Sequence, residues 1–236
     1  MSALLAVQDL HAFYGMTHVL HGVTFEIARG ETVALMGRNG MGKTTLLRSL
    51  MGLVPQRRGH IAFGARDISA AAPEDIARAG VALVPEGRGI FSSLSVVENL
   101  VMAARAGTNG QTAWTLERIF ETFPRLAERR HHWGNQLSGG EQQMLAVGRA
   151  LMTNPDLILI DEATEGLAPM VAEVIWQTLA KMRDNGVATL VVDKDFRALS
   201  RLANRVLLMT KGEIAFSGTP AELKAQPELL EKHLGV

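Results

Sequence analysis

Residues 37–44 read GRNGMGKT, a glycine-rich loop that ends in a lysine and a threonine. An apolar run at Thr32–Met36 directly precedes this loop, and a helical pattern at Thr44–Met51 directly follows it. The glycines let the backbone adopt positive φ angles and turn N–H groups inward, and the helix terminus adds partial positive charge. The sequence therefore predicts a strand, a phosphate-binding loop and a helix. The alternative is a glycine-rich turn that only caps the helix.

The residues of this loop are candidates for contacts with a nucleoside triphosphate. Lys43 carries a point charge that can reach the β- and γ-phosphates, and the Thr44 hydroxyl is a suitable ligand for Mg²⁺. The predicted nucleotide contacts in this segment are Gly37, Arg38, Asn39, Gly40, Met41, Gly42, Lys43, Thr44 and Thr45.

The formal net charge of the chain is zero, because the 24 lysines and arginines equal the 24 aspartates and glutamates in number. This balance offers no general attraction for nucleic acid or anionic lipid, so any site for a charged ligand is local. The Arg-rich segment 125–130 is interpreted as a helical surface, and no nucleic-acid partner is expected. The sequence contains no run of about 18 uncharged apolar residues, the length that a membrane-spanning helix requires. If the chain serves transport, we expect the pore to belong to another polypeptide.

Short apolar runs alternate with helical stretches, which indicates an α/β fold. Together with the phosphate-binding loop at 37–44, this pattern predicts a P-loop NTPase core. The predicted parallel strands are Thr32–Met36, Val81–Val84, Leu157–Ile160 and Thr189–Val192, and the strands predicted for an antiparallel layer at their edge are Ala3–Leu10, Val19–Ile27 and His60–Phe63. Between residues 89 and 153 helix-forming stretches replace the apolar runs, which indicates an inserted α-helical subdomain. We predict one domain over 1–236, with its nucleotide-binding core at 1–88 and 154–236 and its helical subdomain at 89–153.

Two acidic residues, Asp161 and Glu162, follow the apolar strand Leu157–Ile160. Open α/β sheets bind ligands at the carboxyl ends of their strands. We expect Asp161 to hold Mg²⁺ through water and Glu162 to accept a proton from the water that attacks the γ-phosphate. An acidic turn without catalytic function is the alternative interpretation.

Residues Leu137–Gln143 read LSGGEQQ and predict the start of a helix that runs to about Thr153. Ser138 and Glu141 have the spacing of a capping box. The cap explains these two residues but not the glycines between them, which each cost a helix about 1 kcal/mol relative to alanine. Glycines at a helix N-terminus expose N–H groups to an anion.

With these motifs in this order, the chain resembles the ATP-binding-cassette ATPases, whose signature is LSGGQ or a close variant. The resemblance covers nearly all of the chain. It implies binding of ATP with Mg²⁺ and a head-to-tail dimer with a second cassette, either identical or different. In that dimer Ser138, Gly139 and Gly140 would bind the γ-phosphate of the ATP held by the partner's phosphate loop.

The resemblance assigns roles to two further residues. Tyr14 stands where family members stack an aromatic ring on adenine, although a strand residue that packs on the core is an alternative. Glu86, in the sequence VPEGRGIF of residues 84–91, stands where a glutamine usually contacts Mg²⁺. A carboxylate can also bind this metal.

The VPEGR string and the TEGLAP string of residues 164–169 resemble one ATP-binding subunit of branched-chain amino-acid uptake systems. Importers of amides and urea share these features and are the alternative. The implied partners are two membrane permease subunits and an external solute-binding protein. The implied location is peripheral, at the cytoplasmic face of the inner or plasma membrane.

One position departs from the common pattern of the family. Most members have a histidine that contacts the γ-phosphate after the strand at 189–192, and this chain has Lys194 there. A protonated lysine can donate to a phosphate oxygen, so Lys194 is a third candidate catalytic residue beside Lys43 and Glu162. Two other hypotheses remain: a soluble cassette in DNA repair or translation, and a regulatory partner that hydrolyses ATP poorly.

Overall fold

The fold is given by a computed structural model that describes residues 3–234. The strands are β1 (Ala3–Tyr14), β2 (Thr17–Ala28), β3 (Thr32–Met36), β4 (Gln56–Phe63), β5 (Arg66–Asp67), β6 (Val81–Val84), β7 (Leu157–Asp161), β8 (Ala188–Val192), β9 (Arg205–Thr210) and β10 (Glu213–Gly218). The helices are α1 (Lys43–Leu50), α2 (Pro73–Arg78), α3 (Val96–Val101), α4 (Leu116–Thr122), α5 (Pro124–Glu128), α6 (Gly139–Met152), α7 (Pro169–Asp184), α8 (Phe196–Leu202), α9 (Pro220–Lys224) and α10 (Pro227–Leu234). None of the helices described combines the length and the apolar character that crossing a bilayer requires.

The central sheet has six strands in the order β10-β9-β3-β8-β7-β6. The strands from β9 to β6 pair in parallel, and β10 pairs antiparallel to β9 at the edge. Every residue of β3, β7 and β8 is buried, as expected for parallel strands covered on both faces. The four predicted parallel strands are confirmed, and β7 and β8 are each one residue longer than predicted.

The hairpin of β9 and β10 is absent from the sequence prediction, although its signals are present. An apolar run at Val206–Met209 leads into a turn where Lys211 and Gly212 have φ angles of 46° and 80°. Positive φ at both central residues matches the twist of a tight β-hairpin. Strand β9 lies beside β3, so this hairpin borders the phosphate-binding loop.

The amino-terminal strands form a sheet of their own in the order β2-β1-β4-β5, with antiparallel pairing throughout. The predicted antiparallel layer is therefore confirmed, and β1 and β2 extend further toward their common turn than predicted. Leu46, Leu47 and Leu50 of α1 belong to one apolar cluster with residues of both sheets. Helix α1 thus joins the two sheets in a common core directly behind the phosphate-binding loop.

Residues 89–153 contain α3 to α6 and no strand, apart from an isolated bridge between Ser95 and Trp133. Leu145 of α6 lies in the same apolar cluster as Ile160 of β7, so this helical segment shares a core with the central sheet. The division into a nucleotide-binding core and a helical subdomain stays a prediction.

Candidate functional site

The phosphate-binding loop connects β3 to α1, and its glycines adopt the positive φ angles that the sequence predicts. The angles are 145° at Gly37, 78° at Gly40 and 102° at Gly42. A Cβ atom at Gly37 would lie 2.3 Å from the Met209 carbonyl oxygen of β9, so the backbone itself excludes a larger residue there. A Cβ atom at Gly40 would meet no other residue within 4 Å apart from the adjacent ones, so that side of the loop is open.

Lys43 is the first residue of α1, and its ammonium group turns back into the loop. Nζ donates to the carbonyl oxygens of Gly37 at 2.8 Å and Arg38 at 3.0 Å, and the residue is only 9% exposed. Burial is the largest influence and lowers the pKa of Lys43, whereas the carboxylate of Asp161 opposes this shift. The loop therefore holds a buried positive charge at its centre.

The remaining loop residues divide into two groups. The side chain of Met41 faces the protein, because its Sδ accepts a hydrogen bond from the Lys211 N–H at 3.2 Å. Arg38 is exposed. Six of the nine residues at 37–45 line a cavity of 320 Å³ together with Glu86 and Glu162; they are Asn39, Gly40, Gly42, Lys43, Thr44 and Thr45. The structure thus brings together residues from three separate motifs.

Asp161 ends β7 beside the loop and is 3% exposed. The pKa of Asp161 is raised, and burial is the largest cause. The negative charge of Glu86 also raises this pKa, whereas a hydrogen bond from the Thr44 side chain lowers it. Within residues 3–234, its Oδ1 atom is buried without any hydrogen-bond partner. A buried carboxylate oxygen without a donor is costly unless a cation completes it.

These residues fit a divalent cation by the chemistry of their oxygen atoms. Mg²⁺ prefers carboxylate, hydroxyl and phosphate oxygens. The Thr44 hydroxyl and the Glu86 carboxylate line the cavity. Asp161, with its unpartnered Oδ1, is buried next to them, because its pKa responds to both side chains. Their function as metal ligands stays a proposal.

Glu162 follows Asp161 in a left-handed conformation, with a φ angle of 54°. Such an angle costs a non-glycine residue about 1–3 kcal/mol and persists only where the surroundings enforce it. The consequence is that consecutive residues direct their side chains differently: Asp161 is buried, while Glu162 is half-buried and lines the cavity beside Thr44.

Lys194 is placed beside this cavity but is paired with a protein carboxylate. Its Nζ atom lies 2.5 Å from Oε1 of Glu165, and the two side chains are 53% and 48% exposed. Both residues line a second cavity, of 330 Å³, together with Glu162. The lysine charge is therefore close to the carboxylate pair and accessible from solvent.

Asp193 is a residue of this region that sequence reasoning missed. It is buried, and its Oδ2 accepts hydrogen bonds from both the N–H and the hydroxyl of Thr164, each at 2.8 Å. Its Oδ1 accepts from the Asp195 N–H at 2.9 Å. Asp193 therefore fixes the loop after Glu162 to the start of α8. The available signal was an acid directly after the apolar run of β8, which resembles Asp161 after the apolar run Leu157–Ile160.

Tyr14 lies at the end of β1, opposite Thr17 in the turn of the hairpin, and is 44% exposed. Strand β2, which returns from this turn, passes the phosphate-binding loop: a Cβ atom at Gly42 would lie 3.1 Å from Leu20. An exposed ring on a hairpin that borders the loop is compatible with stacking on a base. Its contact with adenine stays a prediction.

Ser138 caps α6 as predicted. Its hydroxyl accepts from the Glu141 N–H at 3.3 Å, and its own N–H donates to the Glu141 carboxylate at 2.8 Å. Of the described residues that line the 320 Å³ cavity, none belongs to 138–140. Within one chain, the phosphate-binding loop and the N-terminus of α6 thus form two separate surfaces.

A phosphate-binding loop between a parallel strand and a helix, with a carboxylate pair at the end of a nearby strand, defines an α/β nucleotide-binding protein of the P-loop class. A family model described as "ABC transporter" matches residues 20–165. The chain belongs to the ABC transporter family and is an ATP-binding ATPase of that family.

Several known proteins are similar along their whole length. The branched-chain amino acid transport ATP-binding protein BraG of Pseudomonas aeruginosa is 37% identical and covers 98% of this chain and 100% of its own length. The lipopolysaccharide export ATP-binding protein LptB of Escherichia coli strain K12 is 30% identical, over 99% of this chain and 98% of its own length.

Solved structures show the same fold. One described as the ATP-binding subunit of an ABC transporter has a TM-score of 0.83 and 29% identity, over 96% of this chain and 94% of the other. A dimeric ATP-binding cassette bound to ADP and phosphate has a TM-score of 0.79 and 25% identity, over 92% of this chain and 98% of the other.

Proposed function

We propose that this chain is the ATP-hydrolysing subunit of an importer that energises the uptake of branched-chain amino acids. The observation that carries the hydrolytic part is the convergence of Lys43, Thr44, Glu86 and Glu162 on one cavity, with Asp161 buried beside it. The choice of substrate is supported by the similarity to BraG.

In the proposed reaction, Lys43 and the loop N–H groups bind the β- and γ-phosphates. Mg²⁺ held by Thr44, Asp161 and Glu86 would neutralise charge on the phosphates. Glu162 accepts a proton from the attacking water while the water oxygen forms a bond to the γ-phosphorus. The bond between that phosphorus and the oxygen that leaves with ADP breaks. Lys194 would leave Glu165 and donate to the γ-phosphate, and Tyr14 would stack on adenine.

The catalytic assignment is tested with Glu162→Gln in the full-length chain. We expect ATP turnover to fall by at least about 100-fold, because a general base contributes about 10²–10⁴-fold, while ATP binding is retained. Glu173→Gln, an exposed glutamate on α7, is the matched control and should turn over ATP normally. Equal turnover in Glu162→Gln and the unmodified chain would remove Glu162 from the mechanism.

The proposed partners are a second cassette, two membrane permease subunits and, through them, an external solute-binding protein, with the chain peripheral at the cytoplasmic face of the membrane. The similarity to transport subunits supports this assembly. Affinity purification of the tagged chain from detergent-solubilised membranes should recover membrane-spanning proteins. Recovery of ribosomes or nucleic acid instead would support a soluble cassette.

A second candidate substrate follows from the similarity to LptB. An export function for lipopolysaccharide would have the same ATP site and a different membrane partner. Deletion of the gene should abolish high-affinity uptake of labelled leucine, isoleucine or valine if the import proposal holds. Normal amino-acid uptake together with a defective outer membrane would favour lipopolysaccharide export.

A further inference from the structure

The loop after β6 has an unusual backbone that directs one arginine toward α6. Gly87, Arg88 and Gly89 have φ angles of 76°, 69° and 57°, so three consecutive residues are left-handed. Glycine accepts these angles, but arginine adopts them only where its surroundings enforce them. Contacts of Arg88 must therefore hold its backbone in this conformation.

The Arg88 guanidinium contacts the first turn of α6. Nη1 donates to Oε1 of Gln142 at 3.0 Å. A Cβ atom at Gly139 would lie 2.9 Å from Nη2, so the guanidinium packs directly against the backbone of this glycine. Within the described part of the chain, Arg88 forms no ion pair, and Gln142 is its polar partner.

Gln142 extends this contact to the segment that precedes the helix. Its Nε2 donates to the carbonyl oxygens of Gly134 at 3.1 Å and Leu137 at 3.3 Å. Leu137 directly precedes Ser138. A displacement of Arg88 would therefore be transmitted to the N-terminus of α6 through the Gln142 side chain.

The same loop is tied to α6 at a second place. Nη1 of Arg149 donates to the Gly89 carbonyl oxygen at 2.6 Å, and its guanidinium lies 4.5 Å from the centre of the Phe91 ring. Two arginines thus bridge the loop and the helix, one from each side. At the other end of this loop, Glu86 lines the cavity that contains Thr44 and Glu162.

We propose that Arg88 is a positioning residue that couples the two nucleotide sites of a cassette dimer. It links Glu86, at the chain's own nucleotide, to Ser138 and its glycines, which close over the partner's nucleotide. This inference rests on the proposed function, because it needs α6 to contact ATP in trans. Occupation of one site then favours the geometry that completes the other.

The experiment uses Arg88→Gly and Gln142→Ala, alone and combined, in the full-length chain. Glycine accepts the φ angle of 69° at position 88, so Arg88→Gly removes the guanidinium without backbone strain. We measure ATP affinity, ATP-dependent association of chains and turnover against ATP concentration. Arg88→Gly should retain its ATP affinity and thermal stability, while kcat falls about 5- to 10-fold and the Hill coefficient approaches 1.

The double variant should be no slower than the worse single variant, because both substitutions break the same link. Arg66→Ala, at an exposed arginine of β5, is the matched control and should behave like the unmodified chain. Arg88→Lys, which keeps the charge but loses the planar fork, should recover only part of the rate.

Unchanged kcat and Hill coefficient in Arg88→Gly, or additive losses in the double variant, would overturn the coupling proposal while leaving the ATPase assignment intact. The proposed function itself would fail in a different way: the unmodified chain would show neither ATP binding nor ATP turnover. The two failures are therefore distinguishable in one set of measurements.

Discussion

Asp161 is a buried carboxylate whose Oδ1 has no hydrogen-bond partner among the residues described, and its charge is costly to maintain there. Burial raises its pKa, so the protonated form persists to higher pH than for an ordinary aspartate. A cation requires the charged form. Mg²⁺ binding should therefore release protons from the fraction of Asp161 that is still protonated.

We predict that affinity for MgATP decreases as pH falls through this raised pKa and levels off above it. Calorimetric titration in buffers of different ionisation enthalpy measures the proton release directly. Asp161→Asn should bind MgATP weakly and without this pH dependence. The same pH dependence in the Asn variant would show that another group titrates.

Lys194 and Glu165 form an exposed ion pair, so their attraction contributes little to the free energy of unfolding. We predict that Lys194→Ala changes this free energy by less than about 1 kcal/mol. Turnover should fall by at least about tenfold, because the proposed donor to the γ-phosphate is lost. Urea unfolding and steady-state turnover on one preparation measure both.

Lys224→Ala, at another exposed lysine, is the control for loss of a surface charge. Normal turnover in Lys194→Ala would contradict the proposed contact with phosphate. Loss of turnover with an equal loss in Glu165→Gln would instead indicate that the ion pair itself is needed.

At the scale of elements, helix α6 begins with a capping box that the chain uses again elsewhere. Ser138 and Glu141 form one at α6, and Thr219 and Glu222 form the same pair of hydrogen bonds at α9. Each box satisfies backbone N–H groups that the helix leaves without partners. Ser95 and Glu98 form another such box at α3. The boxes at α6 and α9 compare a cap at the proposed site with one remote from it.

We predict that Ser138→Ala and Thr219→Ala each lower the free energy of unfolding by about 0.5–2 kcal/mol, the usual effect of losing such a cap. Only Ser138→Ala should slow ATP turnover, because only that hydroxyl is proposed to contact a nucleotide. Chemical unfolding and turnover assays measure these effects. Equal turnover in the two variants would show that Ser138 acts only as a helix cap.

At the scale of the whole molecule, one chain holds the two halves of the proposed site on separate surfaces. The cavity at Lys43 has none of residues 138–140 in its described lining. In the proposed head-to-tail dimer, each phosphate-binding loop would face the other chain's α6, and a complete site would need two chains. This requirement can be tested by complementation.

We predict that Lys43→Ala and Ser138→Ala chains, each impaired alone, recover turnover when mixed. The mixed dimer contains one site with an intact lysine and an intact serine, while neither homodimer has such a site. Turnover of each variant and of the mixture is measured over a dilution series. A mixture that gives only the average of the separate variants would exclude a shared site.

Much of the fold was predictable because its signals are local. The apolar runs of β3, β7 and β8 reflect burial on both faces, and the glycines at 37, 40 and 42 reflect backbone angles. The hairpin of β9 and β10 was missed although its Lys211-Gly212 turn carries a local signal. No local signal indicated that Met41 would contact this hairpin, because that contact joins distant segments of the chain.

By itself, the sequence determined the order of strand, phosphate-binding loop and helix, the carboxylate pair and the cap of α6, since each depends on neighbouring residues. Only the tertiary structure decided that Arg88 meets Gln142, that Lys194 pairs with Glu165 and that Asp193 holds Thr164. These residues lie between 29 and 54 positions apart in the chain. Their contacts arise from the packing of whole elements, which local propensity does not encode.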